Sequence, residues 1–343
     1  MSHPTDHNTS RQSAHPAAVD TIHPALPHRL PPNVVPSHYE LHLTPNLTTF
    51  KFQATIHIQL NILSATKTIK LNTAEIDVKS ATLTRSTADT KPVTLTATYE
   101  EDDEVCILTA GEELGVGEGQ LTIEYEGEHN DKMRGCYRSK YTTPQGEERY
   151  MITTQFEATD ARRAMPCWDE PAYKASFTLH LTTLPHLTAV SNMPITASKP
   201  AADGLVTHSF DKSPVMSSYL YAWVVGEFDK IEDTTKEGTV VRVYTPVGKS
   251  EQGRFALECA MRILPFYNQF FKHSYPLPKL DMLAIADFAA GAMENWYSEH
   301  TTYSHTYHPY TPRIKIRSEC SPEQFRTFAD LIFSALVCVC ATL

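Results

Sequence analysis

A stretch of thirteen residues, 50–62, alternates between two kinds of side chain: even-numbered positions are apolar or small, and odd-numbered positions are almost all polar. Because successive side chains of a β-strand point to opposite faces, this period of two predicts a long strand with one buried face. Shorter alternating runs follow at 93–99, 121–125 and 177–181, with glycines and acidic clusters between them. The chain is therefore predicted to be mainly β, beginning with an antiparallel β-sandwich or saddle.

Changes in composition and in the pattern of apolar residues divide the chain into four parts. Residues 1–32 are rich in His, Pro, Ser and Thr, which predicts a disordered tail. Residues 33–235 form the predicted β domain, and 236–296 follow as strand, helix and strand, the opening of an α/β-type domain. Residues 297–343 fit neither pattern and are treated as a divergent tail of unknown structure.

Within 236–296, a helix is predicted from Ser250 to about Phe271, and Pro265 predicts a kink or an early end in it. Its predicted apolar face consists of Phe255, Cys259, Ile263, Phe266 and Phe270.

Composition excludes several classes of function. Lys and Arg number 30 against 40 Asp and Glu, a net charge of −10 that falls entirely within 33–296 and makes nucleic-acid binding improbable. Such an acidic body favours cationic ligands, free amines among them, although solubility alone would also explain it. No apolar run approaches the roughly 18 residues of a membrane span, so no membrane partner is expected.

Seven scattered cysteines and the absence of a secretory signal predict reduced thiols and a cytoplasmic protein.

Two clusters of residues, 154–171 and 287–296, each place a glutamate among apolar and small side chains. In the second cluster, Gly291 and Ala292 leave the backbone uncovered just before Glu294. An uncovered backbone edge can pair with an extended peptide, and a carboxylate at its end can bind the peptide's terminal ammonium. The alternative is an ordinary turn with a solvated glutamate.

The pentapeptide Gly291-Ala292-Met293-Glu294-Asn295 resembles the exopeptidase motif of the aminopeptidase N family, the gluzincin aminopeptidases. Cytosolic puromycin-sensitive and fungal arginine/alanine aminopeptidases are the most similar in appearance. The resemblance extends over segments 30–36, 133–141, 154–171, 219–228, 248–253 and 275–281. It implies that residues 236–296 open a thermolysin-like catalytic domain. We expect the resemblance to the family to end at Trp296.

The resemblance also implies roles for six residues. Gln155 and Glu157 would line the pocket for the first side chain and hold the α-amine, and Glu294 would be the second amine-binding carboxylate. The substrate backbone would run along Gly291, Ala292 and Met293. Two carboxylates converging on one ammonium select peptides with a free N-terminus, because a blocked peptide would leave both charges desolvated at a cost of several kcal/mol. We therefore expect Glu157 and Glu294 to lie within several Å of each other, with a raised pKa on at least one.

The chain departs from the family where catalysis is concerned. The family holds zinc with His-Glu-x-x-His on a helix, and the motif glutamate acts as general base. None of the sixteen histidines here is followed by glutamate. The chain is therefore predicted to have no catalytic residues, no metal ligands and no cofactor, although the full-length family uses zinc. As written it would be a truncated, catalytically incompetent relative of a zinc aminopeptidase.

Two other readings remain open. The chain could be a non-enzymatic module that binds peptide N-termini or pairs with an intact paralogue. It could instead be a hydrolase with an unrecognised metal site, for which the candidate ligands are Glu299, His300, His305 and His308.

Overall fold

The structure, a computed structural model, describes residues 29–85, 91–289 and 292–295 in full and the backbone of 298–302. This part of the chain contains nineteen strands, five short 3₁₀ turns and one α-helix, α1 (Arg254–Phe270). The strands are β1 (Val34–Asn46), β2 (Lys51–Ile62), β3 (Thr66–Asn72), β4 (Ile76–Arg85), β5 (Val93–Glu100), β6 (Val105–Leu114), β7 (Gly117–Glu128), β8 (Gly135–Thr142), β9 (Glu148–Gln155), β10 (Ser176–Thr183), β11 (Thr188–Ser191), β12 (Ile195–Pro200), β13 (Val206–Phe210), β14 (Trp223–Gly226), β15 (Phe228–Thr234), β16 (Val240–Pro246), β17 (Lys279–Ile285), β18 (Ala292–Met293) and β19 (Ser298–Thr302). The prediction of a mainly β protein is confirmed.

Ten strands form the largest sheet, in the order β12-β13-β10-β1-β2-β7-β4-β5-β6-β3. The alternating stretch 50–62 supplies β2, whose even-numbered side chains are buried from Phe52 to Ile62. Phe50 lies in the preceding turn with a φ of 56°, so the strand begins one residue later than predicted. Neighbouring strands of this sheet are antiparallel except for β1 and β10, which run parallel.

A four-stranded antiparallel sheet, β11-β14-β9-β8, is joined to the large sheet by a row of aromatic rings. Tyr39 of β1 stacks on Phe177 of β10 at 4.9 Å between ring centroids, and Phe177 stacks on Tyr221 at 4.6 Å. Tyr221 then meets Trp223 of β14 edge to face at 5.3 Å, and Trp223 meets Phe156 in the same way at 5.4 Å. All five rings are buried, so the row fixes the position of the chain on either side of residue 156.

The third sheet, β15-β16-β17-β19-β18, begins the α/β part. Strands β16 and β17 are parallel, and α1 forms the crossover between them, as the strand–helix–strand pattern predicts. The predicted boundary at residue 235 stays a prediction, although β15, which lies before it, pairs into this sheet. Within the predicted divergent tail, the backbone at 298–302 forms β19, which pairs with β17 and β18.

Helix α1 differs from its prediction in two respects. It continues through Pro265 to Phe270, although Pro265 has no N–H to donate to the carbonyl of Met261. Its buried face consists of Cys259, Ala260, Ile263, Leu264 and Tyr267. Phe266 and Phe270 are 55% and 65% exposed, so their assignment to the buried face was wrong.

The spacing of apolar side chains in α1 is compatible with two adjacent buried faces of the helix. Packing against β15 and β16 determines which of the two faces is buried. Among the described residues, no helix has both the length and the apolar character that a membrane span requires.

Candidate functional site

The predicted site residues lie at the ends of two strands. Gln155 is the last residue of β9, and Glu157 follows it after the buried Phe156. Ala292 and Met293 form β18, and Glu294 follows them. Gly291 lies outside the described residues, so its predicted contact with substrate is untested. The site therefore draws on the second sheet and on the third.

Glu157 and Glu294 are close enough to interact electrostatically. Burial raises the pKa of Glu157, and the negative charge of Glu294 raises it further. A raised pKa on one of the two carboxylates is what the sequence predicts for this pair. Like charges placed together in a partly buried setting are stabilised when a cation lies between them. The assignment of the pair to an amine site stays a prediction.

Two buried amide side chains accompany the carboxylates. Gln155 donates a hydrogen bond from Nε2 to the carbonyl oxygen of Glu157 at 3.5 Å, while its Oε1 has no partner among the described residues. Asn295 is 1% exposed, and its Nδ2 likewise has no partner within the described part of the chain. Buried polar atoms normally find hydrogen-bond partners, so a donor and an acceptor here are unsatisfied within the described part of the chain.

Hydrogen bonds of Asp287 attach the second cluster, residues 287–296, to β8. Strand β8 is the neighbour of β9, which carries Gln155. The backbone N–H of Lys140 donates to Oδ2 of Asp287 at 2.8 Å, and the N–H of Asp287 donates to Oγ of Ser139 at 2.9 Å. The hydroxyl of Tyr137 donates to the carbonyl oxygen of Asp287 at 2.7 Å. Because β8 pairs with β9 so that Tyr137 is opposite Thr153, one two-stranded ribbon positions both halves of the site.

Two arginines hold the loop that leaves Glu157, in which the peptide bond between Glu157 and Ala158 is cis. Arg162 forms an ion pair with the buried Asp169 at 3.0 Å. Arg163 forms ion pairs with Asp160 at 2.7 Å and with Glu104 of the large sheet's β5–β6 connection at 2.5 Å. These contacts give residues 157–169 one conformation over the core.

Gly135, at the start of β8, is required by the same loop. Its φ is +67°, and a Cβ at this position would lie 2.7 Å from Cβ of Arg163. Any larger residue would therefore strain the backbone of β8 and push Arg163 away from its ion pairs.

Sequence reasoning missed Asp287, Ser139 and Tyr137 as site-supporting residues. The only signal available was that Asp287 opens the second cluster and that 133–141 belongs to the segments of resemblance. Nothing in the spacing indicates that residues almost 150 positions apart meet. The two arginines were present in the first cluster, but their partners could not be identified from sequence.

The family's zinc does not fit this site. The sequence has no His-Glu-x-x-His, and Glu157 and Glu294 belong to no group of three potential metal ligands among the described residues. The side chains of Glu299, His300, His305 and His308, the alternative ligands considered above, lie outside the described residues. One group of potential ligands occurs elsewhere in the described part, at Glu40, His42 and His180.

Comparison with known proteins gives two family matches. Residues 35–220 match the Peptidase M1 N-terminal domain, and residues 255–319 match the Peptidase family M1 domain. The second match continues beyond Trp296, where we expected the resemblance to end.

Three relatives illustrate the similarity. The chain is 47% identical over 268 residues to Aminopeptidase M1-C of Oryza sativa subsp. japonica, covering 78% of this chain and 30% of the relative. It is 46% identical over 271 residues to Aminopeptidase M1 of Arabidopsis thaliana, again covering 78% and 30%. It is 41% identical over 269 residues to Puromycin-sensitive aminopeptidase of Caenorhabditis elegans, covering 78% and 28%. The chain thus spans less than a third of the length of the curated relatives it matches.

Proposed function

This chain belongs to peptidase family M1, and from that premise we propose that it is the N-terminal part of an aminopeptidase that holds the free N-terminus of a peptide between Glu157 and Glu294. The observation that carries the proposal is the placement of Glu157 and Glu294 together, close enough that the charge of Glu294 adds to burial in raising the pKa of Glu157. A pair of carboxylates in this state binds a cation favourably. The names of the relatives, all aminopeptidases, agree with an ammonium as that cation.

The ammonium of a bound peptide would lie between the two carboxylates, offset part of their negative charge and donate charge-assisted hydrogen bonds to both. Gln155 would lie beside the first side chain, with its unpartnered Oε1 available as an acceptor. A peptide with an acetylated N-terminus offers no charge and would leave the pair uncompensated. The site therefore distinguishes free from blocked N-termini by the positive charge that only a free N-terminus brings to the two carboxylates.

The peptide backbone would extend along Gly291, Ala292 and Met293. Strand β18 is at the end of the strand order of the third sheet, so among the described residues its other edge carries no paired strand. An extended peptide could add to that edge by main-chain hydrogen bonds, which supply affinity without regard to side-chain identity. Glu294 follows β18 directly and is placed to meet the end of such a peptide.

We propose no catalytic residue and no catalytic zinc in the chain of 343 residues, because the ligand motif is absent from its sequence. We also propose a cytoplasmic location. The four described cysteines, Cys106, Cys136, Cys167 and Cys259, are buried free thiols, as expected in a reducing compartment. The acidic body argues against a nucleic-acid partner.

The proposal is tested by calorimetric binding of a short peptide and its N-acetylated twin to the full chain. The free peptide is expected to bind at least about tenfold more tightly, which corresponds to about 1.4 kcal/mol. Glu157→Gln and Glu294→Gln should each bring the two affinities together. Glu237→Gln, which removes an equal charge from an exposed position, should preserve the difference. Equal binding of both peptides by the unmodified chain would overturn the proposal.

A further inference from the structure

A group of titratable side chains lies on the solvent-facing side of the ten-stranded sheet, remote in sequence from the proposed amine site. Glu40 and His42 are two residues apart on β1 and share a face, while Leu41 between them is buried in the core. His180 of β10 is directly opposite His42, and His57 of β2 is directly opposite Glu40. Three adjacent strands thus bring three imidazoles and one carboxylate together.

The distances within the group match those of a metal site. Oε1 of Glu40 lies 3.3 Å from Nε2 of His42 and 3.3 Å from Nε2 of His180. The three ligand atoms all lie within 4.8 Å of one another. In a tetrahedral zinc site with bonds of about 2.0–2.1 Å, neighbouring ligand atoms are about 3.3–3.4 Å apart. Two of the three edges already have that length.

The two imidazoles are held in place by their neighbours. The rings of His42 and His180 stack at 4.3 Å between centroids, with an interplanar angle of 12°. Nδ1 of His180 lies 2.9 Å from Oγ of Ser209 on β13. When Oγ of Ser209 accepts a hydrogen bond from Nδ1–H of His180, the lone pair of Nε2 is left for a metal, an arrangement that typically orients ligating histidines.

Burial also favours the neutral, ligating form of His42. It lowers the pKa of His42, with a further contribution from His180, and it lowers the pKa of His57. Without a metal, Glu40 would instead accept a hydrogen bond from each Nε2–H, and Ser209 would have to donate to Nδ1 of His180.

We propose that Glu40, His42 and His180 bind one divalent transition-metal ion of the Zn²⁺ class, with water completing its coordination. Two neutral imidazoles and one carboxylate suit zinc, and the carboxylate offsets half of the ion's charge. The ion would link β1 to β10, the single parallel strand pair described in the large sheet. It would thereby close a long segment of chain and stabilise the β domain. The inference departs from the sequence-based expectation that the chain holds no metal ligands.

The test is equilibrium dialysis of Zn²⁺ against the full chain, in a background that removes competing ligands. In that background, glutamine replaces the histidines whose side chains lie outside the described residues: His3, His7, His15, His23, His28, His300, His305 and His308. One Zn²⁺ per chain is expected. Adding His42→Gln or His180→Gln should weaken binding by at least about tenfold, and Glu40→Gln should weaken it in the same direction.

The matched control is His186→Gln, an exposed histidine on the loop between β10 and β11, which should leave Zn²⁺ binding unchanged. A second readout is the melting temperature, which Zn²⁺ should raise in the background and in the control but not in His42→Gln. The three ligands are partly exposed on the outer face, so the substituted chains should keep the far-ultraviolet circular dichroism of the background. Binding that is equal in the background, His42→Gln and His180→Gln would overturn the proposal.

Discussion

Glu157 connects local electrostatics to the proposed function at the scale of a single residue. Burial and Glu294 raise its pKa from 4.5, so the folded protein binds a proton at this position more readily than the unfolded chain does. This contribution to stability is fully present below the unfolded-state pKa and is lost as the pH rises through the raised value. A bound ammonium would reverse the effect by favouring the ionised carboxylate.

We predict that Glu294→Gln returns the pKa of Glu157 part of the way toward 4.5, because the charge contribution disappears while burial remains. The measurement is a carboxyl-resolved NMR titration with and without the substitution. Affinity for a free peptide should fall as the pH drops through the pKa of Glu157, since protonation removes one of the two charges. Glu237→Gln is the control, and an identical Glu157 titration in both variants would contradict the prediction.

At the scale of secondary-structure elements, periodicity predicted what depends on one segment alone. It located β2 to within one residue, and it identified a helix ending within one residue of the observed end of α1. It placed Phe266 and Phe270 on the wrong side of that helix, because the neighbouring strands decide which stripe is buried. It could not indicate the parallel pairing of β1 with β10, which joins segments more than 130 residues apart.

The candidate site shows the same division between what a single segment determines and what depends on tertiary structure. Resemblance supplied Gln155, Glu157 and Glu294, while the hydrogen bonds that bring the two clusters together depend on tertiary structure. Asp287 has an ordinary sequence environment, and its role appears only because β8 lies beside it.

The Asp287 contact with β8 gives a prediction at this scale. Asp287→Ala removes the acceptor for the Lys140 N–H and frees the segment that leads to Glu294. The pKa of Glu157 should fall, and the preference for a free N-terminus should decrease, because Glu294 is no longer held beside it. Asp211→Ala, at an exposed loop position, is the control for the lost charge. A variant that keeps both the pKa and the preference would show that β18 is positioned without Asp287.

The buried Lys279 joins the third sheet to the second through a hydrogen bond and forms an ion pair within β17. Nζ of Lys279 donates to the carbonyl oxygen of Ser191 at 2.8 Å and to Oδ2 of Asp281 at 2.5 Å, and burial lowers the pKa of Lys279. We predict that Lys279→Ala lowers the free energy of unfolding by up to about 3–5 kcal/mol, because the buried Asp281 then keeps only the partly exposed Arg242, at 3.4 Å, as a charged partner. Urea denaturation provides the measurement. The double substitution Lys279→Met with Asp281→Leu should be less destabilising, since no charge stays unpaired, and the opposite order would refute the argument.

At the scale of the whole molecule, the chain combines a β domain large enough to bury its own core with the first strands and helix of a second domain. The row of aromatic rings, the Asp287 contacts and the hydrogen bond from Lys279 to Ser191 all cross between sheets, so contacts within this chain hold the two halves of the site together. Binding at the proposed amine site therefore needs only residues of this chain. The His-Glu-x-x-His motif with which the family holds zinc does not occur in its sequence.

The last prediction follows from that separation of binding and chemistry. The chain of 343 residues should release no amine from an aminoacyl-amide reporter, either alone or with added Zn²⁺, because its sequence lacks the motif that supplies the family's general base and zinc-binding histidines. Zinc held by Glu40, His42 and His180 should raise the melting temperature without producing turnover. The assay compares the chain with its Glu294→Gln variant before and after treatment with a chelator. Turnover that survives repeated purification, disappears with the chelator and is lost in Glu294→Gln would mean that the chain builds a hydrolytic centre from residues outside the described ranges.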